Sequence, residues 1–392
     1  MRRVASVSMV LVAFLASVLS AHQAGRGVGP DHRGTVLRGA QLEPLFRAPA
    51  CLEGYTPAQS GPLVRLGAPR DRAPEPTFTV EPMKIPSEGA LINGWLYLPL
   101  QAGRRPLIVL TNGGGNTASI KSFSDFMAPV LAHCGIAAFV HDKRGTGGSQ
   151  GVYRDTTYDD YIRDTGNLAV ALSKHARVDP AAVGAMGASE GGRIAVLAAS
   201  RYPQIGFAIS FAGPAVGMLE DRLYAQLNGM RDRGISEQVI GEVTPFWEKA
   251  LAAWASGDPR ALEEIDRLIP EWRTRYPWTA LPFLSRDLDT RPELENIRPT
   301  WRSLSRDYVT ELARFRKKWF AIFGEADRVV PTEASVRAIL RAMDLGGHKD
   351  FTVAVIPRCG HVPVDTETKQ RVRFENLILN WLDDYGLVPR LR

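Results

Sequence analysis

Beyond residue 105 the sequence alternates short, nearly all-apolar runs with segments of helical period, and few architectures can accommodate that alternation. The runs at 106–110, 136–141, 182–186, 205–211, 318–323 and 351–356 are too short for helices and have little polar alternation. Strands apolar on both faces belong to a parallel sheet covered on both sides. Helical patterns fall between and after them, at 119–133, 158–175, 190–199, 332–343 and 366–385. In the second of these, Tyr158, Tyr161, Ile162, Thr165, Leu168, Ala169 and Leu172 recur on one face. Two earlier strands, 77–85 and 90–98, flank a turn at Pro86-Ser87-Glu88-Gly89. The expected fold class is α/β, a mostly parallel sheet with helices on both faces.

The rhythm stops at Gly213-Pro214. From there to about residue 316 the patterns are helical, punctuated by Pro245, Pro259, Pro270 and Pro277 and carrying Trp247, Trp254, Trp272, Trp278 and Trp301. A helical insertion between strands of such a sheet reads as a cap over the strands' C-terminal edge, where ligands bind. The tryptophans either build the cap's own core, the usual use of a buried indole, or line the ligand space as well.

Met1-Arg2-Arg3, an apolar stretch from Val4 to Leu19 and the small residues Ser20 and Ala21 have the layout of a signal peptide over 1–21. The apolar run is shorter than the ~20 residues of a membrane span, and an uncleaved anchor is the alternative. The mature chain is expected to be exported, periplasmic or secreted, with no span left after signal removal. Residues 22–76, rich in Gly, Pro, Ala and Arg, read as an irregular arm, and 77–392 as the catalytic domain with the cap at about 214–316.

At 392 residues, 45% of them hydrophobic, the chain is too apolar and too varied for disorder, a coiled coil or a fibre. Its net charge of +6 comes from scattered residues, so no nucleic-acid partner is implied. Cys51, Cys134 and Cys359 are too few and too far apart for a metal cluster or a disulfide framework; one bridge is allowed and none required.

Gly187-Ala188-Ser189-Glu190-Gly191 fits Gly-x-Ser-x-Gly, a sharp strand-to-helix turn that exposes a serine hydroxyl. Gly147-Gly148-Ser149-Gln150-Gly151 fits it too, but lies in a glycine-rich loop with no helix start after it. Ser189 directly follows one expected strand and opens an apolar helix, so Ser189 is the candidate nucleophile. A serine needs a base, and the base a group that fixes its tautomer. Asp327 and His361 lie in loops after the two late strands, in the order required, with Glu325 as an alternative acid from the same loop as Asp327. The oxyanion donors are expected to be the N–H of Glu190 and one N–H from Asn112 to Asn116, with Gly114 preferred over Gly113 and Gly115. A phosphate cradle is the alternative for the three glycines, but the lysine and Ser/Thr of a nucleotide loop are missing.

Together these motifs resemble the α/β-hydrolase superfamily from about residue 77 to the C-terminus. More narrowly, Val140-His141-Asp142-Lys143-Arg144-Gly145-Thr146-Gly147-Gly148-Ser149 with Gly187-Ala188-Ser189-Glu190-Gly191-Gly192 is similar to a bacterial group of esterases, acyl-thioesterase-like hydrolases and serine aminopeptidase-like proteins. Three residues depart from that pattern: His141 for the usual aromatic, Ala188 for a frequent His, and Asn112 for the usual His before the glycines. Asp142 and Arg144 are expected to brace the loops through an ion-pair and hydrogen-bond network. Glu190 either sits favourably at a helix N-terminus or pairs with Arg144 or with a substrate amine.

The resemblance implies an α/β-hydrolase fold and a serine hydrolase acting on a small ester-like or thioester substrate, with no metal or organic cofactor. A serine aminopeptidase-like peptidase is the alternative, and a binding protein that has lost catalysis a third reading. Cys359, two residues before His361, is expected to be a free thiol or half of a structural bridge.

Overall fold

A computed structural model describes residues 33–53, 55, 77–114, 123–275, 303 and 305–388. The expected signal segment 1–21, Gly115, Asn116, Trp278 and Trp301 lie outside the described residues.

The apolar runs form one nine-stranded sheet in the order β1-β9-β8-β7-β6-β4-β5-β3-β2. The strands are β1 (Thr35–Arg38), β2 (Phe78–Ser87), β3 (Ala90–Pro99), β4 (Arg105–Thr111), β5 (Ala137–His141), β6 (Val178–Ala188), β7 (Phe207–Phe211), β8 (Lys318–Gly324) and β9 (Phe351–Ile356). β3 runs antiparallel to β2 and β5, and every other pairing is parallel. This is an α/β-hydrolase fold.

Side chains alternate across the strands, so each strand feeds two cores. Leu107 and Val109 of β4, with Trp319, Ala321 and Phe323 of β8, pack on one side. Ile108 and Leu110, with Phe320 and Ile322, pack on the other. The first core is covered by α3 (Tyr158–Leu172), α4 (Glu190–Arg201) and α9 (Thr332–Gly346), and the second by α2 (Phe123–His133) and α10 (Phe374–Asp384). The helix starts are written locally. In α3, Thr157 Oγ1 accepts the Asp160 N–H at 3.0 Å while Asp160 returns a carboxylate to the Thr157 N–H at 2.8 Å.

The insertion is helical as expected, with α5 (Met218–Asp232), α6 (Glu237–Ser256), α7 (Pro259–Arg275) and α8 (Tyr308–Leu312). Pro259 opens α7, where a missing N–H costs nothing, but Pro245 and Pro270 lie inside α6 and α7. An interior proline costs about 3 kcal/mol, and the packing of Val243, Phe246, Trp247 and Trp254 in the first core offsets it in α6. Trp272 stacks on Phe246 with centroids 4.9 Å apart, so the described tryptophans do serve packing.

Two expectations need correction. The stretch 22–76 is not irregular throughout. β1 adds to the sheet edge in parallel with β9, pairing Thr35 with Thr352 and Leu37 with Ala354, and α1 (Glu43–Phe46) follows. Four residues are too few to show a period, and the strand exists because β9 offers it an unpaired edge. Asn376 and Asn380 of α10 donate to the carbonyls of Phe46, Leu45 and Arg47, and the Cys51–Cys134 disulfide ties this segment to the end of α2. The final helix begins at Phe374, not at 366. Asp365 instead accepts the N–H groups of Glu367 and Thr368 at 2.9 and 2.8 Å, folding 365–368 into a turn.

Candidate active site

The chain passes from β4 to β5 on one side and returns to β6 on the other, so strand order reverses between β4 and β6. Such a reversal opens a crevice at the strands' carboxyl ends. Thr111 at the end of β4 pairs with Gly187 at the end of β6, which sets the glycine loop beside the Gly-x-Ser-x-Gly turn.

In that turn Ser189 has φ 55°, a conformation that costs a non-glycine residue about 1–3 kcal/mol. The Ser189 N–H donates to Phe211 C=O at 2.8 Å, and its own carbonyl receives the Gly192 N–H at 2.9 Å, so both neighbours hold the bend. The flanking glycines are steric requirements: a Cβ on Gly191 would meet the Asn112 carbonyl oxygen at 2.5 Å, and one on Gly187 the Gly192 nitrogen at 2.8 Å. The Ser189 side chain does not cap its helix. Ser149 is occupied elsewhere: its hydroxyl donates to Asp142 C=O at 2.8 Å and accepts the Asn93 N–H at 2.9 Å.

His361 Nδ1 lies 2.9 Å from Asp327 Oδ2. Asp327 is buried, and its Oδ1 accepts the N–H groups of Val329 and Val330, both at 2.8 Å. Glu325, the alternative acid, is turned to the Arg358 N–H at 3.1 Å instead. The two loops meet closely: a Cβ on Gly324 would fall 2.5 Å from the Gly360 carbonyl oxygen, and the Ala326 N–H donates to Cys359 C=O at 2.9 Å. The hydrogen bond joins His361 to Asp327, while Ser189 is bonded to neither side chain among the described residues. Cys359 is a buried free thiol, with burial pushing it up to about 12.

Gly113 and Gly114 both border the serine turn. A Cβ on Gly113 would lie 3.5 Å from Ser189 Cβ, and one on Gly114 3.8 Å from Glu190 Oε2. Glu190 is paired neither with Arg144 nor by helix position alone. Its Oε1 accepts from Lys143 Nζ at 2.6 Å, and Arg222 of α5 stands 3.7 Å from Oε2. Burial alone would raise the Glu190 carboxyl, but Lys143 and then Arg222 outweigh it and hold the group below its ordinary range. Arg144 is bonded to Asp164, at 2.6 and 3.0 Å, and to the carbonyls of Ser87 and Glu88. Asp142 takes the Gly148 N–H at 2.8 Å and Asn93 Nδ2 at 3.0 Å. Both residues brace the loop as expected, through separate networks.

The cap reaches the site through residues that sequence reasoning did not single out. Tyr224 of α5 donates its hydroxyl to the Asp327 backbone carbonyl at 2.9 Å. Arg193 of α4 donates to Pro214 C=O at 2.8 Å and Val216 C=O at 2.9 Å, and stacks 4.2 Å over the Tyr308 ring. Asp221 Oδ1 is buried without a partner among the described residues, and burial pushes its carboxyl up. Lys143 stands in the motif already noted, but nothing in its spacing reveals which loops its ammonium reaches.

The sheet, the serine turn and the Asp–His contact define an α/β hydrolase. The chain belongs to the serine aminopeptidase S33 family, whose model matches residues 103–368. No curated protein sequence matches the chain. Among solved structures it is similar to an α/β hydrolase from Penicillium sp. sh18, at 17% identity and TM-score 0.50, with 79% of this chain and 98% of the other covered. It is also similar to an esterase from Pyrococcus furiosus, at 16% identity and TM-score 0.50, covering 79% and 92% of the two chains. At these identities the likeness concerns the fold. The chain is a hydrolase.

Proposed function

We propose that the protein is an exported serine hydrolase of carboxylic esters or thioesters, with Ser189 as nucleophile, His361 as base and Asp327 as the group that orients it. The contact of 2.9 Å between His361 Nδ1 and Asp327 Oδ2, with Ser189 on the elbow, carries this reading. An ionised Asp327 keeps the proton on Nδ1, which leaves Nε2 free to take the serine proton. Ser189 Oγ then bonds to the substrate carbonyl carbon, and the leaving alcohol or thiol departs with the proton from His361. Water attacks the acyl-enzyme through the same base, releasing the acid and restoring Ser189. The N–H groups of Glu190 and Gly114 are assigned to the oxyanion.

Cleavage of a peptide at its free amino terminus is the second reading, favoured by the family's description. It asks for an uncompensated carboxylate to receive the substrate ammonium. Glu190 already has Lys143 at 2.6 Å and Arg222 at 3.7 Å, which supports the ester. The Cys51–Cys134 bridge supports export, because disulfides persist in oxidising compartments.

A fluorophosphonate probe on wild type and Ser189→Ala, followed by a panel of p-nitrophenyl esters, acyl thioesters and aminoacyl amides, tests the reading. Labelling lost in Ser189→Ala and turnover of esters are expected. A folded wild type that stays unlabelled overturns the serine mechanism, and preferential cleavage of aminoacyl amides would move the assignment to the peptidase.

A further inference from the structure

We propose that Lys143 is a positioning residue that orients both halves of the oxyanion hole. The idea rests on the serine-hydrolase reading and extends it. The Lys143 side chain is 2% exposed, and its ammonium donates to two acceptors, the Gly113 carbonyl and Glu190 Oε1. Those acceptors belong to the two segments that supply the assigned donors.

The Gly113 carbonyl and the Gly114 N–H are part of one peptide unit. In a planar trans peptide these groups point in opposite directions. A lysine that holds the carbonyl therefore turns the Gly114 N–H away from itself. Rotating the unit would exchange the two groups and offer a carbonyl oxygen where an N–H is needed. The segment Gly113-Gly114-Gly115 has little conformational preference of its own to prevent that rotation, so the restraint must come from outside. The unit lies beside the nucleophile, since the Cβ position of Gly113 is 3.5 Å from Ser189 Cβ.

On the other side Lys143 secures the Glu190 side chain, whose backbone N–H is the second donor. The Glu190 carbonyl receives the Tyr158 hydroxyl at 3.3 Å, so this residue is held from two directions. Lys143 is itself fixed: its carbonyl accepts from Thr146 N at 2.9 Å and Thr146 Oγ1 at 2.8 Å, and its ammonium sits 5.0 Å from the Tyr161 ring centroid. An ammonium has three donors and no acceptor, which suits a group that must satisfy a carbonyl and a carboxylate at once. Glu190 neutralises the charge that this requires in a buried place.

The test compares Glu190→Gln with the double variant Lys143→Met/Glu190→Gln, which removes the anchor without leaving a buried charge unpaired. Both are assayed with p-nitrophenyl butyrate, and a trifluoromethyl ketone serves as a probe of the tetrahedral oxyanion. Glu190→Gln loosens the anchor on the Glu190 side and leaves the Lys143 bond to Gly113 in place, so it is the reference from which the further loss in the double variant is read. The double variant is expected to lose about 10²–10³-fold in kcat, the range for a missing oxyanion donor. Its KM should move no more than a few-fold, and its ketone affinity should fall in parallel with kcat/KM. Loss of packing alone would not separate kcat and ketone affinity from KM. A wild-type kcat in the folded double variant overturns the proposal. So does a double variant whose kcat and ketone affinity equal those of Glu190→Gln, and, if the double variant does not fold, a wild-type kcat and ketone affinity in Lys143→Met alone. Fluorophosphonate labelling of wild type, absent in Ser189→Ala, is run alongside. If it fails, the serine mechanism itself fails; if it succeeds while the variants behave alike, only the role of Lys143 is lost.

Discussion

Asp327 divides its carboxylate between two tasks: Oδ2 faces His361 Nδ1 at 2.9 Å, and Oδ1 takes the N–H groups of Val329 and Val330. That division makes the effect of an isosteric change predictable. In Asp327→Asn the amide oxygen must stay with the two N–H groups, so the NH₂ faces His361. The imidazole is then driven to carry its proton on Nε2, where it cannot act as a base. A loss of about 10³–10⁴-fold in kcat is expected from the wrong tautomer, with KM and melting temperature close to wild type. Retention of a tenth of the activity would show that the Asp327 contact does not set the tautomer.

Cys359, despite its place two residues from His361, should be chemically silent in the folded protein. Burial pushes its thiol up to about 12, so little thiolate exists at neutral pH. Titration with a chromogenic disulfide reagent at pH 8 should find no reactive thiol in native protein and one in denaturant. Three should appear after reduction. Rapid labelling of the native protein at Cys359 would contradict its burial.

The Cys51–Cys134 bridge closes a sequence separation of 83 residues between the N-terminal segment and α2. The chain-entropy model puts the stabilisation from such a loop at roughly 4–5 kcal/mol. Cys51→Ala/Cys134→Ala should lower the urea midpoint by a corresponding amount while leaving kcat unchanged in the folded protein, since neither cysteine touches the site. An unchanged midpoint would mean that the segment contributes nothing through this link.

The Glu190–Lys143 pair gives a pH dependence with a definite sign. Glu190 is held below its ordinary range when folded, so its contribution is present above the unfolded value of about 4.3 and is lost as pH falls through the folded value. At pH 7, Glu190→Gln should be less stable than wild type by roughly 3 kcal/mol, the low end for removing one partner of a buried pair. That gap should narrow below about pH 4. Asp365, held down to about 2 chiefly by the Thr368 N–H, also weakens the protein in acid. It is common to both chains and cancels in the difference. Urea titrations at pH 7 and 3.5 measure the gap, and a gap that stays constant would contradict the depressed carboxyl.

The features legible in the sequence are those governed by local chemistry. Strands β4 to β9 read out because both of their faces are apolar, and Ser189 because its turn needs small residues on each side. Asp327 and His361 followed from their places after β8 and β9, a matter of chain order. β1 was hidden, because a four-residue strand carries no period and forms only where the edge of β9 receives it. The start of α10 was misplaced because the Asp365 turn competes with the helix for the same N–H groups.

The connections made across long separations were decided by tertiary structure alone. Lys143 and Glu190 are 47 residues apart, and their contact depends on β5 and β6 flanking β4 in one sheet. Asp327 was the acid preferred from the sequence, but that its carboxylate faces His361 while Glu325 turns to the Arg358 N–H is a matter of how the two loops pack. Arg222 and Tyr224 reach the site because α5 lies across it. A sequence specifies which residues can form an elbow, a strand or a cap, since those depend on neighbours along the chain. The partner of a buried charge depends on side chains that only folding brings within a few ångströms.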